Sequence, residues 1–217
     1  MKSDAKPARY IVAGKESPME KTIRYNVLSQ VVGAEAGFAL RCKQAALLVA
    51  GVLFLALAAK IKVPMWPVPI TMGTFAVLTI GAAYGPRLGL VTMMVYMLVG
   101  ALGFDVFAGS SAEVSGLSYM LGGTGGYLVG YVMATLALGV LAQRGWDRSV
   151  SWMALAMLIG NSLIYIPGVL WLGQLYGWDK PILAWGLTPF LVGDALKLAL
   201  AAVLLPVAWK LVSRARD

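Results

Sequence analysis

The chain has 217 residues, 59% of them hydrophobic and 13% charged, with a net charge of +8. That composition belongs to a membrane protein rather than to a soluble domain with one apolar core. The absence of histidine and the presence of one cysteine, Cys42, exclude His-dependent acid–base catalysis, a His/Cys metal site and a disulfide within the chain. The basic excess sits at segment ends and in the N-terminal extension, as topology signals do, so no nucleic-acid partner is expected.

Residues 1–43 read as a basic cytoplasmic extension with eight Lys/Arg and four Asp/Glu. It lacks the apolar core and cleavage site of a secretory signal peptide. Pro7, Gly14 and Pro18 favour disorder up to about residue 20, and the weakly amphipathic stretch Tyr25–Arg41 suits a membrane surface. Residues 44–217 form the expected transmembrane domain. Its first span, Ala45–Ala59, is shorter than the ~20 residues a bilayer needs, and Lys60 and Lys62 can extend it by snorkelling. Ala46 and Ala50 make a small-residue stripe that permits close contact with a partner helix.

Pro64, Pro67 and Pro69 make Val63–Thr71 a stiff connector. Within it, Trp66 is either an interfacial anchor or the cap of a pocket. Pro69 is placed to start the second span, Ile70–Tyr84. After the turn Gly85–Gly89 comes the third span, Leu88–Phe104, and then a Gly/Ser-rich loop, Gly103–Gly116, with Asp105 and Glu113. The fourth span, Tyr119–Leu141, opens on Gly122–Gly126. These glycines either present backbone amides to an anion or allow close helix packing. No Gly-Lys-Ser/Thr follows, so this is not a nucleotide phosphate loop. The fifth span is Val150–Leu172 and the sixth is Leu187–Val212.

Six spans place both termini on one side. With that side inside, fourteen Lys/Arg face the cytoplasm and three face outward, as the positive-inside rule requires. The expected fold is therefore an all-α bundle of six transmembrane helices in the plasma membrane, with cytoplasmic termini. Its polar exceptions gather at the outer end, where a small ligand would fit between helices. The most costly exception is Asp194 with Lys197, since a charge at mid-membrane costs roughly 2.5–3.5 kcal/mol. Their spacing brings them to one helix face. They form either a structural ion pair or an intramembrane site.

The ordered set VPMWPVPITMGTFAVLTIGAAYGPRLGLVTMMVYMLVGALG, VFAG, GGTGGYLVGY and PFLVGDALK resembles the BioY family, over about residues 45–210. Those proteins are the biotin-specific S components of energy-coupling-factor transporters. The resemblance implies biotin binding near the outer face, a transmembrane coupling subunit, and partner ATPases that use the ATP, with no cofactor or metal in this chain. It leaves a homo-oligomer open. Asp194 and Lys197 match the family's Asp-x-x-Lys motif and Thr71 its Pro-Val-Pro-x-Thr. Gly73 stands in place of an expected glutamine, and Gly122-Gly123-Thr124 in place of Gly-Pro-Thr. The loop after Phe107 lacks the basic residue expected for a biotin carboxylate.

On this reading Asp194 accepts ureido N–H groups, and Lys197 either holds Asp194 ionised or reaches the carboxylate. Trp66, Tyr96, Phe107 and Tyr127 supply walls. Ser110, Ser111 and Thr124 belong to the segments that would receive the carboxylate, and Ala46 and Ala50 would dock on the coupling subunit. The competing readings are an S component for another vitamin, a membrane enzyme and a structural scaffold. The enzyme has neither a histidine nor an Asp-rich metal motif to work with, and the scaffold leaves the Asp194/Lys197 pair without a use.

Overall fold

A computed structural model describes residues 26–33, 36–111 and 113–214; the expectations for residues 1–25 lie outside the described residues. Helix α1 (Leu28–Val31) is a single turn, opened by the Gln30 side chain accepting the Val27 N–H at 3.1 Å. Helix α2 (Gly37–Lys60) starts well before Ala45, because the Leu, Ala, Arg, Lys and Gln residues ahead of that position are good helix formers. Its buried residues, Gly51, Leu55, Ala58 and Ala59, make one narrow stripe, as a helix at the edge of a bundle should.

The proline connector is more ordered than a stiff linker. Strands β1 (Lys62–Val63) and β2 (Ile70–Thr71) pair antiparallel across it, with Lys62 opposite Thr71 and Val63 opposite Ile70. Helix α3 (Gly73–Ala101) is interrupted at Gly85, whose φ of 77° and ψ of 178° no helix contains. Glycine tolerates that backbone, and Pro86 starts the next leg without an N–H to satisfy. The chain doubles back here. A β-carbon on Gly89 would lie 3.6 Å from Gly81 Cα, whereas eight residues of one straight helix span about 12 Å.

Three elements complete the chain before the last helix. Helix α4 (Gly116–Met120) is separated from α5 (Gly125–Gln143) by a turn, so the expected fourth span is broken at Gly122–Thr124. Helix α6 (Val150–Tyr176) follows a 3-10 turn, Trp146–Arg148. Helix α7 (Ile182–Gly186) leads through a second 3-10 turn, Thr188–Phe190, into α8 (Leu191–Arg214).

Among the described residues, five helical stretches are long and apolar enough to cross a membrane, the folded-back α3 counting as one. The chain is a multi-pass membrane protein. Helix α5 is its centre: 56% of its apolar stretch is buried, against 22% for α2. Glycines let neighbours reach it. A β-carbon on Gly130 would lie 2.6 Å from Ile164 Cα, and one on Gly139 would lie 2.4 Å from Pro86 N. Outward-facing leucines such as Leu53, Leu57 and Leu196 remain exposed, as a lipid-facing surface requires.

The end of the bundle at Gly85 is closed by polar contacts. Val27 is fully buried beneath Gly85, and Ser29 Oγ donates to Tyr84 O at 3.2 Å. Arg148 donates to Asn26 O at 3.2 Å and stacks 4.2 Å from the Trp209 ring. Trp209 Nε1 donates to the buried Asp147 carboxylate at 2.6 Å, and burial pushes the Asp147 carboxyl up to about 6.

Candidate ligand cavity

At the opposite end, α3, α5, α6 and α8 surround a cavity roofed by β2 and the loop after α3. Its polar wall is built around Asp194, in the first turn of α8. Lys197, three residues on, donates to Asp194 Oδ1 at 2.9 Å and to Thr74 Oγ1 at 3.1 Å. Thr74 in turn donates to Oδ1 at 3.3 Å, and the Tyr165 hydroxyl donates to Oδ2. The carboxylate thus accepts from three donors on three helices, and it is buried. Lys197 and Tyr165 line the cavity, while Asp194 stands behind them. This reverses the expected order of contact: Lys197 is the charged group presented to the cavity and Asp194 is the group that orients it. An ammonium has three donors, and two are used among the described residues.

The apolar wall is aromatic. Tyr96 meets Phe107 edge-on at 5.3 Å, and Phe107 stacks on Tyr119 at 5.2 Å. Offset and edge-on pairs of this kind favour a fixed geometry. Phe107 lies over Gly100, where a β-carbon would come within 2.1 Å of the ring. The Tyr96 hydroxyl donates to Val106 O at 3.0 Å and the Tyr127 hydroxyl to Gly186 O at 2.7 Å. The proton of each hydroxyl is therefore committed, one to the loop after α3 and one to the end of α7. Thr71 is buried in the lining and accepts the Gly73 N–H at 2.9 Å. Thr124 also lines the cavity, and its Oγ1 is buried without a hydrogen-bond partner among the described residues.

Besides Asp194, three expected site residues stand outside this lining. Trp66 is 65% exposed and packs edge-on against Trp185 at 5.0 Å and Tyr176 at 5.4 Å. Ser110 Oγ is engaged with the Asp105 carboxylate at 2.5 Å and accepts the Phe107 N–H at 3.2 Å, which shapes the loop. Ser111 is exposed and accepts the Val114 N–H. The Gly122–Gly126 run serves packing at two of its positions. A β-carbon on Gly125 would meet Met120 O at 2.3 Å, and one on Gly126 would meet Pro167 O at 2.3 Å. Ala46 and Ala50 lie exposed on α2.

Lining residues that the sequence reading missed include Thr74, Tyr119, Tyr131, Tyr165 and Phe190. Two had a usable signal. Tyr131 follows Tyr127 by four residues and Thr74 follows Thr71 by three, so each shares a helix face or its continuation. Nothing local marks Tyr165, whose partner lies 29 residues away.

The loop over the cavity is strapped by Lys60 at the end of α2 and Lys62 in β1. Lys60 donates to Asp105 at 2.5 Å and to Phe107 O at 2.8 Å, and Lys62 donates to Ala108 O. Hydrogen bonds from Lys60 and Ser110 hold the Asp105 carboxyl below the usual carboxylate range.

An aromatic cavity with one internal ion pair, set in a membrane bundle, defines a class: an integral membrane protein with a site for a small ligand that has both polar and apolar parts. Comparison with known proteins narrows that class. Residues 29–214 match the BioY family, and the chain belongs to it. A probable biotin transporter BioY from Pyrococcus horikoshii is 35% identical over 165 residues, covering 76% of this chain and 95% of that one. The biotin transporter BioY of Thermotoga maritima is 31% identical over 144 residues, covering 66% and 82%. A crystal structure of the S-component for biotin from an ECF-type ABC transporter superposes with a TM-score of 0.66 at 19% identity, over 81% of this chain and 95% of that one. At that identity the likeness is one of fold.

Proposed function

We propose that this protein is the biotin-capturing membrane subunit of a biotin uptake system. The observation that carries the reading is the cavity's pairing of a polar wall at Lys197 and Tyr165 with an aromatic wall at Tyr96, Phe107 and Tyr119. Biotin has the same division, a ureido ring at one end and an apolar thioether ring and chain beyond it. The third N–H of Lys197 donates to the ureido oxygen. The Tyr165 hydroxyl, already donating to Asp194, accepts a ureido N–H through its free lone pairs. Asp194 keeps both donors in place, and charge-assisted bonds of this kind are the stronger ones.

On this reading the chain crosses the membrane six times, the α3 hairpin supplying two crossings, with both termini in the cytoplasm and the cavity toward the outside. The role is capture and delivery rather than catalysis. A coupling subunit docks along the exposed Ala46/Ala50 stripe of α2, and partner ATPases consume ATP. Titration calorimetry of the purified protein with biotin tests the central reading: saturable high-affinity binding at one site per chain is expected. Absence of saturable binding overturns it.

A further inference from the structure

We infer that Lys62 is the cation that selects the ligand's carboxylate, an assignment that rests on the biotin reading above. Position comes first. Lys62 lies directly opposite Thr71 in the β1–β2 ladder, and directly opposed residues in an antiparallel pair carry their side chains on the same face. Thr71 lines the cavity, so the Lys62 side chain sets out from the cavity side of the ladder. Its ammonium ends at Ala108 O, and Ala108 is a second lining residue. The group therefore bridges two parts of the rim.

Charge comes second. Three lysines stand at this end outside the Asp194 network. Lys60 is paired with Asp105 and Lys180 with Asp179. Lys62 helps hold the Asp105 carboxyl low from a distance, but it has no carboxylate within ion-pair distance among the described residues, and one carbonyl occupies one of its three donors. The loop after Phe107 contains no basic residue to compete for an anion. A carboxylate emerging from the cavity past Ala108 meets Lys62 while leaving the Lys60–Asp105 strap intact.

The test compares biotin with its neutral primary amide on the wild type, Lys62→Gln and Lys62→Arg, by binding isotherms at low and high salt. Glutamine retains a donor for Ala108 O, so the strap survives. The wild type binds the acid more tightly than the amide. In Lys62→Gln the acid weakens roughly 5-fold, as for a solvated charge pair, while affinity for the amide is kept. Lys62→Arg retains the preference, and salt erodes it in both charged forms. An unchanged acid-to-amide ratio in Lys62→Gln overturns the assignment while leaving the biotin reading intact. Failure of the wild type to bind either ligand overturns both.

Discussion

Replacing Asp194 by Asn removes one charge and little else. The amide oxygen still accepts from Lys197 and Thr74, and the amide nitrogen can donate to Tyr165, so the hydrogen-bond count around the site survives. What is lost is the counter-charge to an ammonium whose side chain is only 11% exposed. Breaking a buried pair from one side costs about 3–5 kcal/mol, because the remaining charge stays desolvated. In a domain of this length that corresponds to a fall in apparent unfolding midpoint on the order of 10 °C. Removing both charges, with Asp194→Asn and Lys197→Met, is expected to restore most of the stability. Biotin binding should not return with it, because Lys197 supplies a ligand donor. Thermal unfolding in detergent and a binding isotherm on the same samples separate the two effects. A loss below about 1 kcal/mol in the single variant would refute the buried-pair reasoning. Recovery of full binding in the double variant would make the pair architecture alone.

Other substitutions probe the cavity and its supports. Thr124→Val removes a hydroxyl with no hydrogen-bond partner among the described residues, so stability should hold while biotin affinity falls about 5- to 10-fold in titration calorimetry. Gly139→Ala forces a β-carbon into the backbone at Gly85–Pro86, and unfolding measurements should show a loss of at least about 1–3 kcal/mol. Asp147 gives a pH dependence. Its folded value of about 6 lies above the ordinary 3.8. Its contribution to stability is therefore fully present below about pH 4 and lost as pH rises through 6, a change of about 3 kcal/mol. Asp147→Asn should unfold like the wild type near pH 4 and at a higher temperature than the wild type at pH 8. Coincident curves at pH 8 would refute the raised value.

The apolar runs and the turn at Gly85–Pro86 were legible because membrane helices announce themselves by length and by what interrupts them. Asp194 and Lys197 were legible because charges are scarce in such helices and three residues make one face. The order in which they meet the cavity was not, because it depends on Tyr165 and Thr74 arriving from two other helices. Trp66 shows a related limit: a rigid, proline-flanked indole fits a lid in sequence, but its neighbours Tyr176 and Trp185 hold it outside the cavity. The serines failed for a different reason. A hydroxyl in a Gly/Ser loop is a candidate ligand group until the loop's own geometry claims it, as Asp105 and the Phe107 N–H claim Ser110. The glycine run was ambiguous in sequence, and contacts made by helices far along the chain decide its use at Gly125 and Gly126.

The closure beneath Gly85 dictates an order of assembly. Asn26 is synthesised early, yet the Arg148 side chain that holds its carbonyl lies 122 residues later. Arg148 in turn rests on Trp209, near the end of the described chain. The full run of contacts from Asn26 through Arg148 to Trp209 therefore exists only once α8 is in place.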